Sequence, residues 1–231
     1  MIYFIFASVV YALSLFLIKP APSSLKSIQL TYLQNLKLVR ASLCSGLFLL
    51  FIFLFISNFE FLVVDEHIYH LFALNNDSDQ LVLWPMQAII HSLIHSDPIH
   101  LLANVFSIGV ASVYERRVGA KRFLTVLAVG CVASIPSILF YSGMVSVAGI
   151  SGGVFGLAAA YFTDEDELTK KEWCTAILLF AFMMFMFSLE GISKNTVGES
   201  YDIRIDHVGH VLGAVGAIIY CRFRPLQPVK A

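Results

Sequence analysis

Seven apolar stretches, at about 2–18, 41–59, 98–114, 123–142, 147–162, 173–189 and 205–221, take up most of a chain of 231 residues. As helices rising about 1.5 Å per residue, each is long enough, or nearly so, to cross a hydrocarbon core of ~30 Å. With 58% hydrophobic and 13% charged residues and a mean hydropathy of +0.79, the chain is too apolar for a soluble domain of its length. The expected class is an all-α polytopic membrane protein in contact with a lipid bilayer. The first stretch has no Lys or Arg ahead of it and no convincing small-residue cleavage site before Lys19-Pro20, which favours an extra N-terminal transmembrane helix over a signal peptide.

The basic residues set an orientation. Segments 19–40, 115–122, 163–172 and the tail after 221 hold thirteen of the fifteen Lys and Arg, and a seven-span chain puts all four on one side. Segment 60–97, on the other side, has none. The N-terminus is expected outside and the C-terminus in the cytoplasm, most simply of a bacterial plasma (inner) membrane. Segment 60–97 also contains apolar pieces such as Phe61-Leu62-Val63-Val64, and is expected to fold as short helices lying partly in the outer leaflet.

The net charge is -1 and no basic stripe interleaves with aromatics, which argues against a nucleic-acid partner. Cys44, Cys131, Cys174 and Cys221 fall singly in different apolar stretches and read as small buried hydrophobes. The run Asp164 to Glu167 reads as a solvated turn.

In this orientation the stretches starting near 98, 147 and 205 all run inward, so their first turns share one depth. Those turns carry His100 and Asn104, then Ser151, then His207 and His210. Polar side chains in lipid are expensive, and three sets at one level point to a site. Ser151 lies among glycines in Ala148-Gly-Ile-Ser-Gly-Gly-Val-Phe-Gly156. There the backbone can turn sharply and the free N–H groups of a helix start favour negative charge. A serine nucleophile that creates an oxyanion needs that setting.

A stripe of small residues used only for packing would look the same locally. Positions 210, 213 and 217 share a helical face. If Gly213 and Ala217 press on Gly152 and Gly156, His210 comes beside Ser151 as a proton-accepting partner. His207 lies one turn away on nearly the same face, and geometry alone leaves the two histidines nearly equal. His100 and Asn104, with the backbone N–H of Ser151 and of Ile150, are candidate oxyanion donors, although an intramembrane Asn also commonly just links helices. His91 and His95 are four apart but lack the Glu of a metalloprotease helix, so neither a metal nor another cofactor is expected.

From about 41 to 222 the sequence resembles the rhomboid intramembrane serine proteases. The resemblance rests on His91-x3-His95-x4-His100-x3-Asn104, Gly149-x-Ser151-Gly152 and Gly209-His210-x2-Gly213. It implies a six-helix catalytic core over 41–222, preceded by an extra helix and linker at 1–40 and followed by a short tail at 223–231. It further implies Ser151 as nucleophile and His210 as base, His100 and Asn104 as oxyanion stabilisers, and transmembrane protein substrates. Gly149, Gly152, Phe155 and Gly213 support them, with Phe155 packing on the catalytic imidazole. The segment near 190–204 resembles the family's mobile cap, and Glu115-Arg116-Arg117-x-Gly119 its turn after the second core helix. The family's Trp-Arg pair is replaced by Trp84 with Pro85 and Gln87. A catalytically silent relative that binds client helices is the competing reading, and a small transporter a more distant one; the sequence does not give the oligomeric state.

Overall fold

The computed structural model describes residues 1–17, 31–141, 145–164 and 205–226, together with 169–171, 173, 174, 177, 178, 181 and 185. The expected 173–189 span therefore lies largely outside the described residues, and the expected cap at 190–204 wholly so. The fold is mostly helical.

Helix α1 (Ile2–Leu17) packs along α3 (Arg40–Ile56), with the Tyr11 ring filling the space that a side chain at Gly46 would need. Between them lies the short α2 (Tyr32–Leu38), started by a capping box in which Thr31 and Gln34 satisfy each other's backbone N–H. The bend from α2 into α3 is 84°. Such a bend leaves the first N–H groups of α3 without partners. The buried Glu115 carboxylate takes them, accepting from Ala41 N at 2.8 Å and Ser42 N at 2.7 Å, and from the Ser42 hydroxyl at 2.7 Å. At the far end of α1, Tyr32 donates to Ala12 O, and Asn35 and Arg116 donate to Leu15 O. Both helix ends are thus tied to residues distant in sequence.

Segment 57–97 begins with three left-handed residues, Asn58, Phe59 and Phe61. It continues through α4 (Glu66–Phe72), strand β1 (Leu74–Asn75), a 3-10 turn (Ser78–Leu83), α5 (Trp84–Ile90) and a second 3-10 turn (His91–Leu93). Trp84 Nε1 donates to Asn75 O at 2.6 Å. Buried Gln87, near the position expected for an arginine in the resembled family, reaches the His70 and Leu71 carbonyls at the end of α4 at 3.5 and 3.4 Å. β1 pairs antiparallel with β2 (Ser146–Val147), Leu74 opposite Val147. That ladder corrects the purely helical expectation for this part of the chain: two residues on each side are too few to leave a period in the sequence.

The longest element, α6 (Pro98–Ser134), is two helices joined at Gly119, whose φ of 80° and ψ of 164° no helix contains. The structure folds it back on itself. His100 and Asn104 near its start approach Gly149, while Gly130 and Ser134 near its end approach Gly152. A straight helix would put residues 100 and 134 about 50 Å apart. Ile135–Phe140 continues as a 3-10 turn. Among the described residues, one helical stretch, Pro98–Phe140, is long and apolar enough to cross a membrane, or two if the bent α2–α3 pair counts as one.

The last elements are α7 (Ser151–Thr163) and α8 (His207–Phe223). α7 starts at Ser151 and not near 147, because Ser146–Val147 is drawn into the ladder and Gly149 turns the chain with a φ of 107°. α7, α8 and arm 120–134 meet along a seam of glycines and small side chains. A Cβ at Gly130 would lie 2.8 Å from Gly152 O, one at Gly152 2.6 Å from Ser134 Oγ, and one at Gly213 would collide with Gly152 O. Close approach of backbones is what small residues provide in a bundle. Of the cysteines, Cys221 is buried but Cys44 and Cys174 are exposed, which corrects the expectation that all four are buried; α3 is apolar all round, so an apolar residue there need not face the interior.

Candidate active site

Ser151 is the first residue of α7, following Ile150, which caps the helix through its backbone alone. The first intrahelical hydrogen bond is Val154 N to Ile150 O, so the N–H groups of Ile150 and Ser151 precede the helical ladder. Gly149 N donates to His91 O at 2.9 Å, and the His91 ring anchors that turn through Nδ1 to Gln87 O and Ala88 O at 3.0 and 3.1 Å. Gly149 is held from one side by that bond.

On α8 the imidazole of His210 faces the hydroxyl, with Nε2 2.8 Å from Ser151 Oγ. With Nε2 unprotonated the hydroxyl donates to it, the contact through which an imidazole removes a hydroxyl proton. Phe155, one turn along α7 from Ser151, stacks on the His210 ring at 4.2 Å between centroids and 10° between planes. Ser151 and His210 are 7% and 6% exposed, so the pair is enclosed by the bundle.

The seam explains the register. Gly213 is three residues beyond His210 and rests on Gly152 O, while Gly156 meets Gly213 O and the Ala217 methyl. With Gly213 fixed on Gly152, His210, one turn before Gly213, is brought beside Ser151, the residue before Gly152. His100 and Asn104 close the opposite side. A Cβ at Gly149 would lie 2.6 Å from His100 Nε2 and 3.8 Å from Asn104 Nδ2, so both side chains end at the backbone just ahead of Ser151. Asn104 is fully buried and spends one N–H on His100 O at 3.0 Å, which leaves the other.

The remaining histidines have other surroundings. His95 is fully buried and meets the His100 ring edge to face at 4.8 Å. His207 is exposed, its ring 6.0 Å from that of His210, so the structure sets His210 and not His207 against the hydroxyl. Among the described residues no three His, Cys, Asp or Glu side chains group as metal ligands do.

One residue escaped the sequence reading. Asp206 caps α8 by accepting from Gly209 N at 2.7 Å, and also accepts from the Ser137 and Tyr141 hydroxyls at 2.6 and 2.7 Å. Its N-cap position was the only signal in the sequence, since its side-chain partners are 65 and 69 residues away.

A serine–histidine contact enclosed by closely packed apolar helices defines the class: a helical bundle with a hydrogen-bonded serine–histidine pair in its interior. The chain belongs to the rhomboid family, a family of integral membrane proteins; the Rhomboid domain model matches residues 83–224. The match takes in α5 to α8 and every candidate site residue, and leaves α1 to α4 outside it. Neither the curated proteins nor the solved structures compared with the chain gave a match.

Proposed function

We propose that this protein is an intramembrane serine endopeptidase of the rhomboid type, with Ser151 as nucleophile and His210 as general base. The observation that carries the reading is the 2.8 Å contact between Ser151 Oγ and His210 Nε2. In this mechanism His210 takes the hydroxyl proton as Oγ attacks the scissile carbonyl, then delivers it to the leaving amine. Water hydrolyses the resulting acyl-enzyme, with His210 again accepting a proton. The oxyanion forms beside Gly149, where the second Asn104 N–H, the His100 ring and the N–H groups of Ile150 and Ser151 are the donors, each contributing about 2.7–4 kcal/mol of barrier.

The substrates in this reading are transmembrane proteins, cut near the outer end of a transmembrane segment that unwinds locally. The protein works as a multi-pass chain with a six-helix core and an added α1, its N-terminus outside and its C-terminus cytoplasmic, most simply in a bacterial plasma membrane.

A fluorophosphonate probe tests the reading on the purified full chain. Labelling at Ser151 and cleavage of a model transmembrane substrate are expected, with both lost in Ser151→Ala and His210→Ala. Unlabelled wild-type protein, or cleavage that survives in either variant at the wild-type rate, overturns it and leaves a client-binding relative.

A further inference from the structure

The carboxylate of Asp206 occupies an unusual place: it is one helical turn ahead of His210, and each bond it makes constrains where α8 begins. Oδ1 accepts from Gly209 N and the Tyr141 hydroxyl, both at 2.7 Å, and Oδ2 from the Ser137 hydroxyl at 2.6 Å. Ser137 is fully buried in the 3-10 turn that follows the second arm of α6, and Tyr141 ends that turn. The same arm holds Gly130 and Ser134 against Gly152, beside the serine. One side chain therefore joins the start of the histidine helix to the segment that backs the serine helix.

Gly209 gives an independent sign that this placement matters. A Cβ there would collide with the Asp206 carboxylate, which folds back over the glycine to reach its N–H. Gly209 stands beside His210, on the first turn of α8, where glycine lowers helix stability and therefore needs a reason to be present. Room for the carboxylate is such a reason.

We propose that Asp206 is a positioning residue for His210, and that Gly209 is small so that it can be. Resting on the serine-protease reading above, this assigns Asp206 no proton transfer with substrate. It fixes the first turn of α8 against Ser137 and Tyr141, so the imidazole keeps Nε2 on Ser151 Oγ. A charged acceptor at a helix start also suits the dipole there. Geometric errors of about 1 Å in a reacting pair lower rates roughly a hundredfold, so losing this tie acts on kcat and leaves substrate binding nearly unchanged.

The test uses the full-length protein in detergent or proteoliposomes, with fluorophosphonate labelling of Ser151, kcat and KM on a model transmembrane substrate, and unfolding midpoints. Asp206→Ala is expected to slow labelling and kcat by roughly 10- to 100-fold, with KM within about twofold of wild type. Asp206→Asn, which keeps the acceptor for Gly209 N, recovers most of that loss. Gly209→Ala, with the carboxylate present but displaced, resembles Asp206→Ala. Wild-type kcat in Asp206→Ala with only a lower unfolding midpoint overturns the proposal, as does an Asn variant no better than Ala. If wild-type Ser151 neither labels nor cuts, the protease reading falls and this proposal with it; if it does both and Asp206→Ala matches it, only the positioning role falls.

Discussion

The two ends of the three-helix seam are built on opposite principles. At the Ser151 end, α7, α8 and arm 120–134 touch through glycines and small side chains, and the Asp206 carboxylate is engaged with an N–H and two hydroxyls. At the other end an ionic clamp holds them. Arg122 donates to both Asp164 oxygens at 3.0 and 2.8 Å and to Arg224 O at 2.7 Å, and lies over the Tyr220 ring; the Tyr114 hydroxyl also donates to Asp164. Charge-assisted bonds hold helix ends firmly at the cost of desolvating charged groups; steric contact between small residues holds two helices in one register. The clamp thus supplies attachment, and the seam supplies the alignment that a hydroxyl and an imidazole need.

That division can be broken from either side. The largest effect is expected from Gly213→Leu, which forces α8 away from Gly152 O: labelling and cleavage should fall by at least about a hundredfold. Retained activity would mean that the seam does not set the Ser151–His210 register. Arg122→Ala should do the reverse, lowering stability by about 1–3 kcal/mol in reversible unfolding while the labelling rate of the folded fraction stays within about twofold. Should it abolish labelling instead, the two ends are not separable. On kcat Phe155→Ala acts far less than Gly213→Leu, since ring stacking contributes about 0.5–1.5 kcal/mol: a drop of roughly 2- to 10-fold is expected, alongside a lower unfolding midpoint from the cavity left by a buried ring.

The smallest effect concerns pH. Burial lowers the His91 pKa from its ordinary value, against the opposing pull of the Gln87 and Ala88 carbonyls. A histidine whose folded pKa is depressed adds stability that is fully present above the unfolded value of about 6.5 and is lost as pH falls through the folded one. The unfolding midpoint should therefore decline below about pH 6.5, and less steeply in His91→Gln. Equal slopes would remove His91 from the account.

Much of this arrangement was legible in the chain. Ser151, His210, His100 and Asn104 stood out because polar residues in apolar stretches are few, and the spacing of Gly213 and Ala217 after His210 gave the facing surface. What escaped notice depends on partners far along the chain. Glu115 looks like part of a charged turn, yet it caps α3 across 73 and 74 residues; Asp206 shows in the sequence only as a cap position ahead of His207. The basic segment 115–122 read as a loop because charge ends an apolar run. The structure keeps it helical on both sides of Gly119, since one glycine at positive φ is enough to reverse the direction. The roles of the polar four in hydrolysis are matters of chemistry, which labelling and cleavage will decide.

The reversal at Gly119 has a mechanical consequence. With one residue between them, the arms of α6 cannot slide past each other; angular splay about that joint is the freedom left to them. From Gly119 to Ser134 is about 22 Å at 1.5 Å per residue, so a change of about 10° there shifts the far tip by roughly 4 Å. Gly119 has open space around it, with nothing within 4 Å of where a Cβ would stand. A small error in the angle set at Gly119 would therefore be magnified beside Ser151, which is the end where the glycine seam holds the arm in register.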